Sequence, residues 1–153
     1  MPAAAAGLTA GPEGSDAAAR AIMTTDTVKK ELALACSIGG RTVTLGAIAK
    51  GSGMIHPNMG TMLCFVTTDC AITREMLSEA LREVVPRTFN RVTVDGDTST
   101  NDMCAVLANG MAGNPLIEWK DDGYTVFLKA LRQLCQELAR AIAGDEEKKE
   151  EKP

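Results

Sequence analysis

The sequence predicts a mixed α/β domain in which a sheet is covered by helices. Residues 31–48 alternate apolar and polar side chains around a Gly39-Gly40 pair, a pattern that is typical of a β-hairpin. Residues 73–85 and 123–143 instead place their apolar side chains at helical spacing. With 153 residues, the chain is long enough to bury one core, so a single structural domain is expected.

Local signals place each element in the first third of the chain. Ser15 is predicted to cap a short helix over 16–23, because a serine hydroxyl can accept a free N–H of the first turn. The hairpin strands are predicted over 31–38 and 41–48. One face of the pair carries seven mainly apolar side chains: Leu32, Leu34, Cys36, Ile38, Val43, Leu45 and Ala47.

The next elements follow from turn residues and apolar runs. Four of the twelve residues in AKGSGMIHPNMG are Gly or Pro, so this segment is predicted to be a constrained loop. In order, the predictions are the loop over 49–60, a buried strand over 61–69, a helix capped by Thr73 that runs to 85, a strand and turn within 89–97, and a helix over 101–111.

The last predicted helix covers 123–143 and has one apolar stripe, made of Phe127, Leu131, Leu134, Leu138, Ala141 and Ile142. The sequence GDEEKKEEKP follows it. We interpret residues 145–153 as a solvated charged tail, because a dense run of charges cannot enter a core.

Composition excludes several function classes. A net charge of −4 and an aromatic content of 3% argue against nucleic-acid binding. No apolar stretch approaches the roughly 18 residues that a membrane span needs. The N-terminus has no basic region followed by an apolar run, so it is not a secretory signal. A cytoplasmic location is therefore expected.

The five cysteines are predicted to be free thiols of a reducing compartment, since no pair has CxxC spacing. A zinc site is not predicted, because the lone histidine, His56, has no thiols nearby at ligand spacing. A Ser-His-Asp triad would have to use His56, which lies in the Gly/Pro-rich loop, so we disfavour it.

Two loops resemble ligand-binding motifs but lack residues that these motifs require. KGSGM at 50–54 has its lysine first, whereas a phosphate loop ends in Gly-Lys-Ser/Thr and runs into a helix. DGDTSTND at 95–102 begins like a calcium loop. It has Thr100 where that loop needs glycine and Val106 where it needs the bidentate glutamate.

The Gly60-Thr61 step joins the constrained loop predicted over 49–60 to the buried strand predicted over 61–69. Here a hydroxyl lies beside a glycine carbonyl, which is the arrangement for an N→O acyl shift. Hydrolysis would then free a threonine whose own α-amine can act as base. A threonine at a strand start is also explained by β-propensity alone, so both interpretations remain open.

From residue 19 onward the chain resembles the bifunctional ornithine acetyltransferase / glutamate N-acetyltransferase family, whose members cleave themselves. The resemblance is carried by AIMTTDT (21–27), AKGSGMIHPNMGTML (49–63), FVTTDCAI (65–72), FNRVTVDGDTSTND (89–102) and LANG (107–110). It implies the mixed fold of this family and of the self-cleaving aminopeptidases, here as a partial chain.

The resemblance also implies site residues. Thr61 would become the N-terminal nucleophile after Gly60–Thr61 cleavage, although the family usually has alanine before it. Lys50 would pair with a substrate carboxylate, and Thr24 would hydrogen-bond the substrate. Glu147 falls where the family has a glutamate of the substrate pocket, but the glycines around that glutamate are missing here.

The implied reaction moves acetyl from N-acetylornithine to glutamate through acetyl-Thr61, in arginine biosynthesis. Bifunctional members also accept acetyl-CoA as donor, and no metal or prosthetic group is implied. Residues 1–60 would belong to the α chain and 61–153 to the β chain of a heterotetramer with two copies of each. Family members are much longer and hold their oxyanion hole, a Thr-Gly pair, upstream of this segment.

Two alternatives stay open. The chain could be a truncated, inactive remnant that acts at most as an assembly fragment. It could instead be an aminopeptidase of a related self-cleaving fold, which would hydrolyse peptides. The DGDTSTND stretch favours the acetyltransferase.

Overall fold

The computed structural model describes residues 6–51, 62–89 and 102–150, with side chains up to residue 145. The helices are α1 (Pro12–Ala21), α2 (Arg74–Val84) and α3 (Asp122–Glu150), and a 3₁₀ turn (Val85–Arg87) follows α2. The strands are β1 (Lys30–Ile38), β2 (Arg41–Lys50), β3 (Leu63–Thr68) and β4 (Met103–Ala108). The predicted mixed α/β fold is therefore confirmed.

The four strands form one sheet in the order β1-β2-β3-β4. The first three strands are antiparallel neighbours, and β4 runs parallel to β3. A parallel neighbour needs a long crossover, and here the segment that contains α2 provides it. No helix within the described ranges combines the length and apolar character that a bilayer-crossing segment requires.

The predicted hairpin is confirmed. Ile38 pairs with Arg41 across the turn, and Leu34 pairs with Leu45 further along. Gly39 and Gly40 have φ angles of 57° and 75°, the two positive values that a tight type I′ turn requires. β2 runs two residues beyond its predicted end, which places Lys50 inside the sheet.

Substitutions at the two turn glycines should differ in cost. A Cβ at Gly40 meets nothing within 4 Å, so Gly40→Ala should cost about 1 kcal/mol for the left-handed backbone alone. A Cβ at Gly39 would lie 2.4 Å from Cδ of Pro115, so Gly39→Ala should cost about 2 kcal/mol. Urea unfolding of both variants measures this, and equal losses would refute the Pro115 contact.

The core lies between one face of the sheet and helices α2 and α3. On β2 this face carries Val43, Leu45, Ala47 and Ala49, all buried. The predicted stripe of α3 is buried at Phe127, Leu131, Leu134, Leu138 and Ile142. Ala141 is exposed, however, and Ala139 is buried instead. The structure thus corrects the edge of the predicted stripe.

The predicted helix over 101–111 is wrong, because Met103–Ala108 is strand β4. The run MCAVLA is short and apolar, so its periodicity alone does not separate a helix from a strand. Pairing with β3 decides the outcome. Cys64 pairs with Cys104 and Val66 with Val106, and this satisfies the backbone of an otherwise open sheet edge.

The structure confirms one predicted helix cap and corrects the other. Thr73 does cap α2, since its Oγ1 accepts the N–H of Met76 at 3.3 Å. Ser15 does not cap α1, which begins at Pro12 because proline fits the first turn, where its missing N–H costs nothing. The Ser15 hydroxyl donates to Glu31 instead. The strand and turn predicted within 89–97 lie outside the described residues, apart from Phe89.

The predicted solvated tail is also corrected. α3 continues to Glu150, seven residues past the predicted end. Asp145 is 2% exposed and pairs with Lys30 at the start of β1. The charge run enters the structure here because a buried lysine supplies the opposite charge.

Candidate functional site

Two of the predicted site residues are brought together. The Nζ of Lys50 donates to Oγ1 of Thr24 at 3.1 Å. Lys50 ends β2 and is held by pairing with Leu63 of β3, whereas Thr24 lies between α1 and β1. The Lys50 side chain is buried and Thr24 is exposed, so the pair connects a buried charge to the protein surface.

The other predicted site residues cannot be placed beside this pair. Thr61 and Gly60 lie outside the described residues. Glu147 falls within α3, but its side chain is not described. Their roles therefore stay predictions. Near the end of α3, the described carboxylate that joins the ion network beside this region belongs to Asp145.

Two lysines are buried in this region, and their surroundings differ. Lys30 Nζ lies 2.6 Å from Oδ1 of Asp26 and 2.6 Å from Oδ2 of Asp145. For Lys50, no carboxylate of the described side chains lies within 4 Å of Nζ. Because a buried charge is normally neutralised by a partner, the Lys50 ammonium is suited to bind an anion.

A carboxylate network supports the pair. Oδ1 of Asp26 accepts the N–H of Gly51 at 3.0 Å in addition to the Lys30 contact. Oδ2 of Asp26 accepts the N–H of Thr24 at 3.4 Å. Asp145 accepts the N–H of Thr27 at 3.0 Å and also the Thr27 hydroxyl. The network thus ties the segment before β1 to the ends of β2 and α3.

Both aspartates are ionised at neutral pH. Burial by itself raises the pKa of Asp145, but hydrogen bonds from Lys30 and Thr27 outweigh it and lower the pKa to about 2. Burial likewise opposes ionisation of Asp26, and the bonds from Lys30 and Gly51 leave its pKa below the usual value. These groups therefore act as fixed charges and acceptors near neutral pH.

Sequence reasoning missed Asp26, Lys30 and Asp145, although a signal existed. Asp26 and Lys30 have opposite charges, but they lie between α1 and β1 and at the start of β1, so helical spacing does not mark this pair. The signal concerns Asp145. Asp145 comes three residues after Ile142, so it continues the buried face of α3. An aspartate that continues the apolar stripe of α3 indicates a buried, paired charge, and this is the signal for Asp145.

The five cysteines are free, as predicted. Cys64, Cys104 and Cys135 form a thiol cluster between the sheet and α3. Contact with the Cys104 thiol and burial both raise the pKa of Cys64 and of Cys135, so neither is an activated nucleophile at neutral pH. Among the described residues, no group of three or more metal-binding side chains is arranged to hold an ion.

Comparison with known sequences gives consistent matches. The sequence profile of the ArgJ family matches residues 1–151. The Arginine biosynthesis bifunctional protein ArgJ of Symbiobacterium thermophilum is 60% identical over 136 residues, which are 89% of this chain and 34% of that protein. The protein of the same name from Bacillus subtilis is 54% identical over the same shares. The chain thus spans about a third of the length of these relatives.

A solved structure agrees with the fold. The crystal structure of Arginine biosynthesis bifunctional protein ArgJ from Bacillus halodurans superposes with a TM-score of 0.51 at 48% sequence identity. The superposition covers 54% of this chain and 39% of that one.

Proposed function

The chain belongs to the ArgJ family, and from this membership we propose that it carries the acetyl-transfer centre of an arginine-biosynthesis acetyltransferase. The proposed donor is N-acetylornithine and the proposed acceptor is glutamate. Acetyl-CoA is a second proposed donor. We also propose that the reaction takes place in the cytoplasm, in a complex of two α and two β chains once the complete protein is made.

The observation that carries this proposal is the buried Lys50 ammonium, which has the Thr24 hydroxyl and no described carboxylate as partner. N-acetylornithine and glutamate share an α-carboxylate, a group that no described side chain brings to this ammonium. A charge-assisted bond to a carboxylate is strong when water is excluded. Both substrates of a two-step transfer can therefore use the same anchor.

The proposed chemistry takes place on Thr61. In the first step, its hydroxyl oxygen bonds to the acetyl carbon, the amide C–N bond breaks, and the proton moves to the ornithine amine. In the second step, the glutamate amine attacks the acetyl-Thr61 ester and the threonine hydroxyl is restored. The freed α-amine of Thr61 is the proposed base in both steps. Splitting the transfer in this way replaces one difficult reaction with two easier ones.

Cleavage at Gly60–Thr61 would come first, at the entrance to β3. The neighbouring residue Met62 is fixed there, because its N–H donates to Asp102 at 2.8 Å and its carbonyl accepts from Met103 at 2.9 Å. This anchoring holds the C-terminal side of the proposed scissile bond in place, which supports a defined position for the proposed attack on the Gly60 carbonyl.

Intact-mass measurement tests this proposal. The parent chain should give two fragments that divide between Gly60 and Thr61, whereas Thr61→Ala should give one uncut chain. Thr67→Ala, at an exposed position of strand β3, is the matched control and should cleave like the parent. After incubation with N-acetylornithine, the fragment that begins at Thr61 should gain the mass of one acetyl group and lose it when glutamate is added.

The second candidate is an inactive remnant that serves at most in assembly. It applies if the residues of this chain, which spans about a third of the length of its relatives, do not by themselves build the acetyl-transfer centre. This candidate predicts a single uncut mass for parent and control alike, and no acetylated fragment. That result would overturn the proposed transferase activity of this chain.

A further inference from the structure

Asp26 is hydrogen-bonded to the backbone beside both proposed substrate-binding residues. Its Oδ2 accepts the N–H of Thr24 at 3.4 Å. Its Oδ1 accepts at 3.0 Å the N–H of Gly51, the residue that follows Lys50. One carboxylate therefore holds the two chain segments that meet in the Thr24–Lys50 contact, which come from different parts of the fold.

The contacts of Asp26 require a carboxylate. All of its described partners are donors, namely two backbone N–H groups and the Lys30 ammonium at 2.6 Å. An asparagine in this position would direct its NH₂ group at one of these donors. The Asp26 side chain is 1% exposed, so water cannot readily replace a lost bond.

Asp26 has an ammonium partner other than Lys50. Lys30 binds Asp26 on one side and Asp145 on the other, and all three side chains are 1% exposed. Lys50 is not consumed as a counter-ion by either aspartate, since its bond goes to Thr24. Among the described side chains, no carboxylate lies within 4 Å of the Lys50 ammonium, so the arrangement is suited to hold this lysine in place for an anionic ligand.

We infer that Asp26 is a positioning residue that holds Thr24 and Lys50 in the geometry that binds the substrate carboxylate, an inference that rests on the proposed function. Asp26 does not touch the substrate in this role. Its loss should weaken binding of N-acetylornithine and glutamate together, because both use the same anchor. Loss of a residue that orients a metal ligand typically costs about tenfold or more in metal affinity, and we expect a loss of the same order for the substrate carboxylate here.

Three variants of the full chain separate positioning from simple stabilisation. Asp26→Asn removes the charge. Asp26→Glu keeps the charge near Lys30 but places the carboxylate one methylene further out, where it cannot keep both backbone bonds. Asp145→Asn removes the other partner of Lys30 and has no described bond to Thr24 or Gly51. Asp26→Glu also serves if Asp26→Asn does not fold.

Two measurements are made on each folded variant. Calorimetry gives the affinity for N-acetylornithine and for glutamate. Trace acetylation with acetic anhydride, read by peptide mass spectrometry, gives the reactivity of Lys50 relative to the exposed Lys129. Both Asp26 variants should bind N-acetylornithine and glutamate about tenfold more weakly. Both should also show several-fold faster labelling of Lys50, because a lysine released from its buried contact with Thr24 is more accessible to the reagent. Asp145→Asn should change both quantities much less at a temperature where it is folded.

Unchanged affinity and unchanged Lys50 labelling in both Asp26 variants would overturn the inference. Equal losses in Asp26→Asn and Asp145→Asn would also overturn it, since the charge balance of Lys30 would then be the whole effect. If even the parent chain binds neither substrate, the proposed function of this chain fails. Lys50 labelling still decides whether Asp26 positions the lysine in that case.

Discussion

Lys50→Met is expected to weaken binding of N-acetylornithine and glutamate about 100-fold, which corresponds to about 2.7 kcal/mol. Methionine has a similar length to lysine but no charge, so it removes the proposed partner of the substrate carboxylate and leaves the packing close to its present form. The Lys50 side chain is buried, so bulk water gives little screening of the lost interaction.

The same substitution should leave the free energy of unfolding unchanged or raise it. A buried ammonium whose one described bond goes to a neutral hydroxyl is costly to the fold, and methionine removes that cost. Lys129→Met, at an exposed position of α3, is the matched control and should alter neither property. Calorimetry and urea unfolding measure the two effects. Undiminished affinity in Lys50→Met would rule out the carboxylate anchor.

Asp145→Asn should lower the free energy of unfolding by about 2 kcal/mol, because it removes the charge from a buried acceptor of the Lys30 ammonium, while Asp26 remains as the counter-ion of Lys30. It also weakens the acceptor for the Thr27 hydroxyl and N–H. Asp16→Asn is the matched control. That aspartate also binds two cations, Arg20 and Lys29, but its side chain is 39% exposed, so its loss should cost little.

The contribution of Asp145 to the free energy of unfolding should depend on pH. Its pKa is lowered to about 2 in the folded protein from an ordinary value of 3.8. The folded state therefore binds this proton less readily than the unfolded state. The contribution of the carboxylate is fully present above about pH 4 and is lost as the pH falls through about 2.

Urea unfolding between pH 2 and pH 5 tests this directly. The parent should lose stability towards the acid end, and Asp145→Asn should lose less over the same interval, because its amide does not titrate. Asp16 and Glu31 have lowered pKa values as well and add to the acid slope in both proteins. Asp26 shares Lys30 with Asp145, so the difference between the two curves belongs to Asp145 and to the change that its loss causes at Asp26. Parallel curves would contradict the assignment.

Local sequence signals predicted those elements whose patterns are strong. The hairpin follows from period-two alternation and two glycines that accept positive φ angles, and both features are properties of the chain itself. The cap of α2 by Thr73 is equally local. Strand β4 was missed because a short apolar run satisfies helix and strand alike. The deciding factor is an open edge of β3, which is far away in sequence.

The site shows the same division. Lys50 and Thr24 were identified through the resemblance of their segments to a family, and the structure brings the two side chains into contact. Asp145 was assigned to a solvated tail because composition describes a charge run as a whole. It does not single out the one charge that meets a buried lysine from another element. Such long-range pairing is decided by the fold.

The ion pair between Lys30 and Asp145 joins positions 115 residues apart. Contacts of this separation form late, because the loop they close loses much chain entropy before any bond repays it. During synthesis the β1–β2 hairpin can form as soon as it leaves the ribosome, but Lys30 gains its second carboxylate only after residue 145 has emerged. Completion of the network around Lys30 thus reports that the chain from Lys30 to Asp145 has been made and folded.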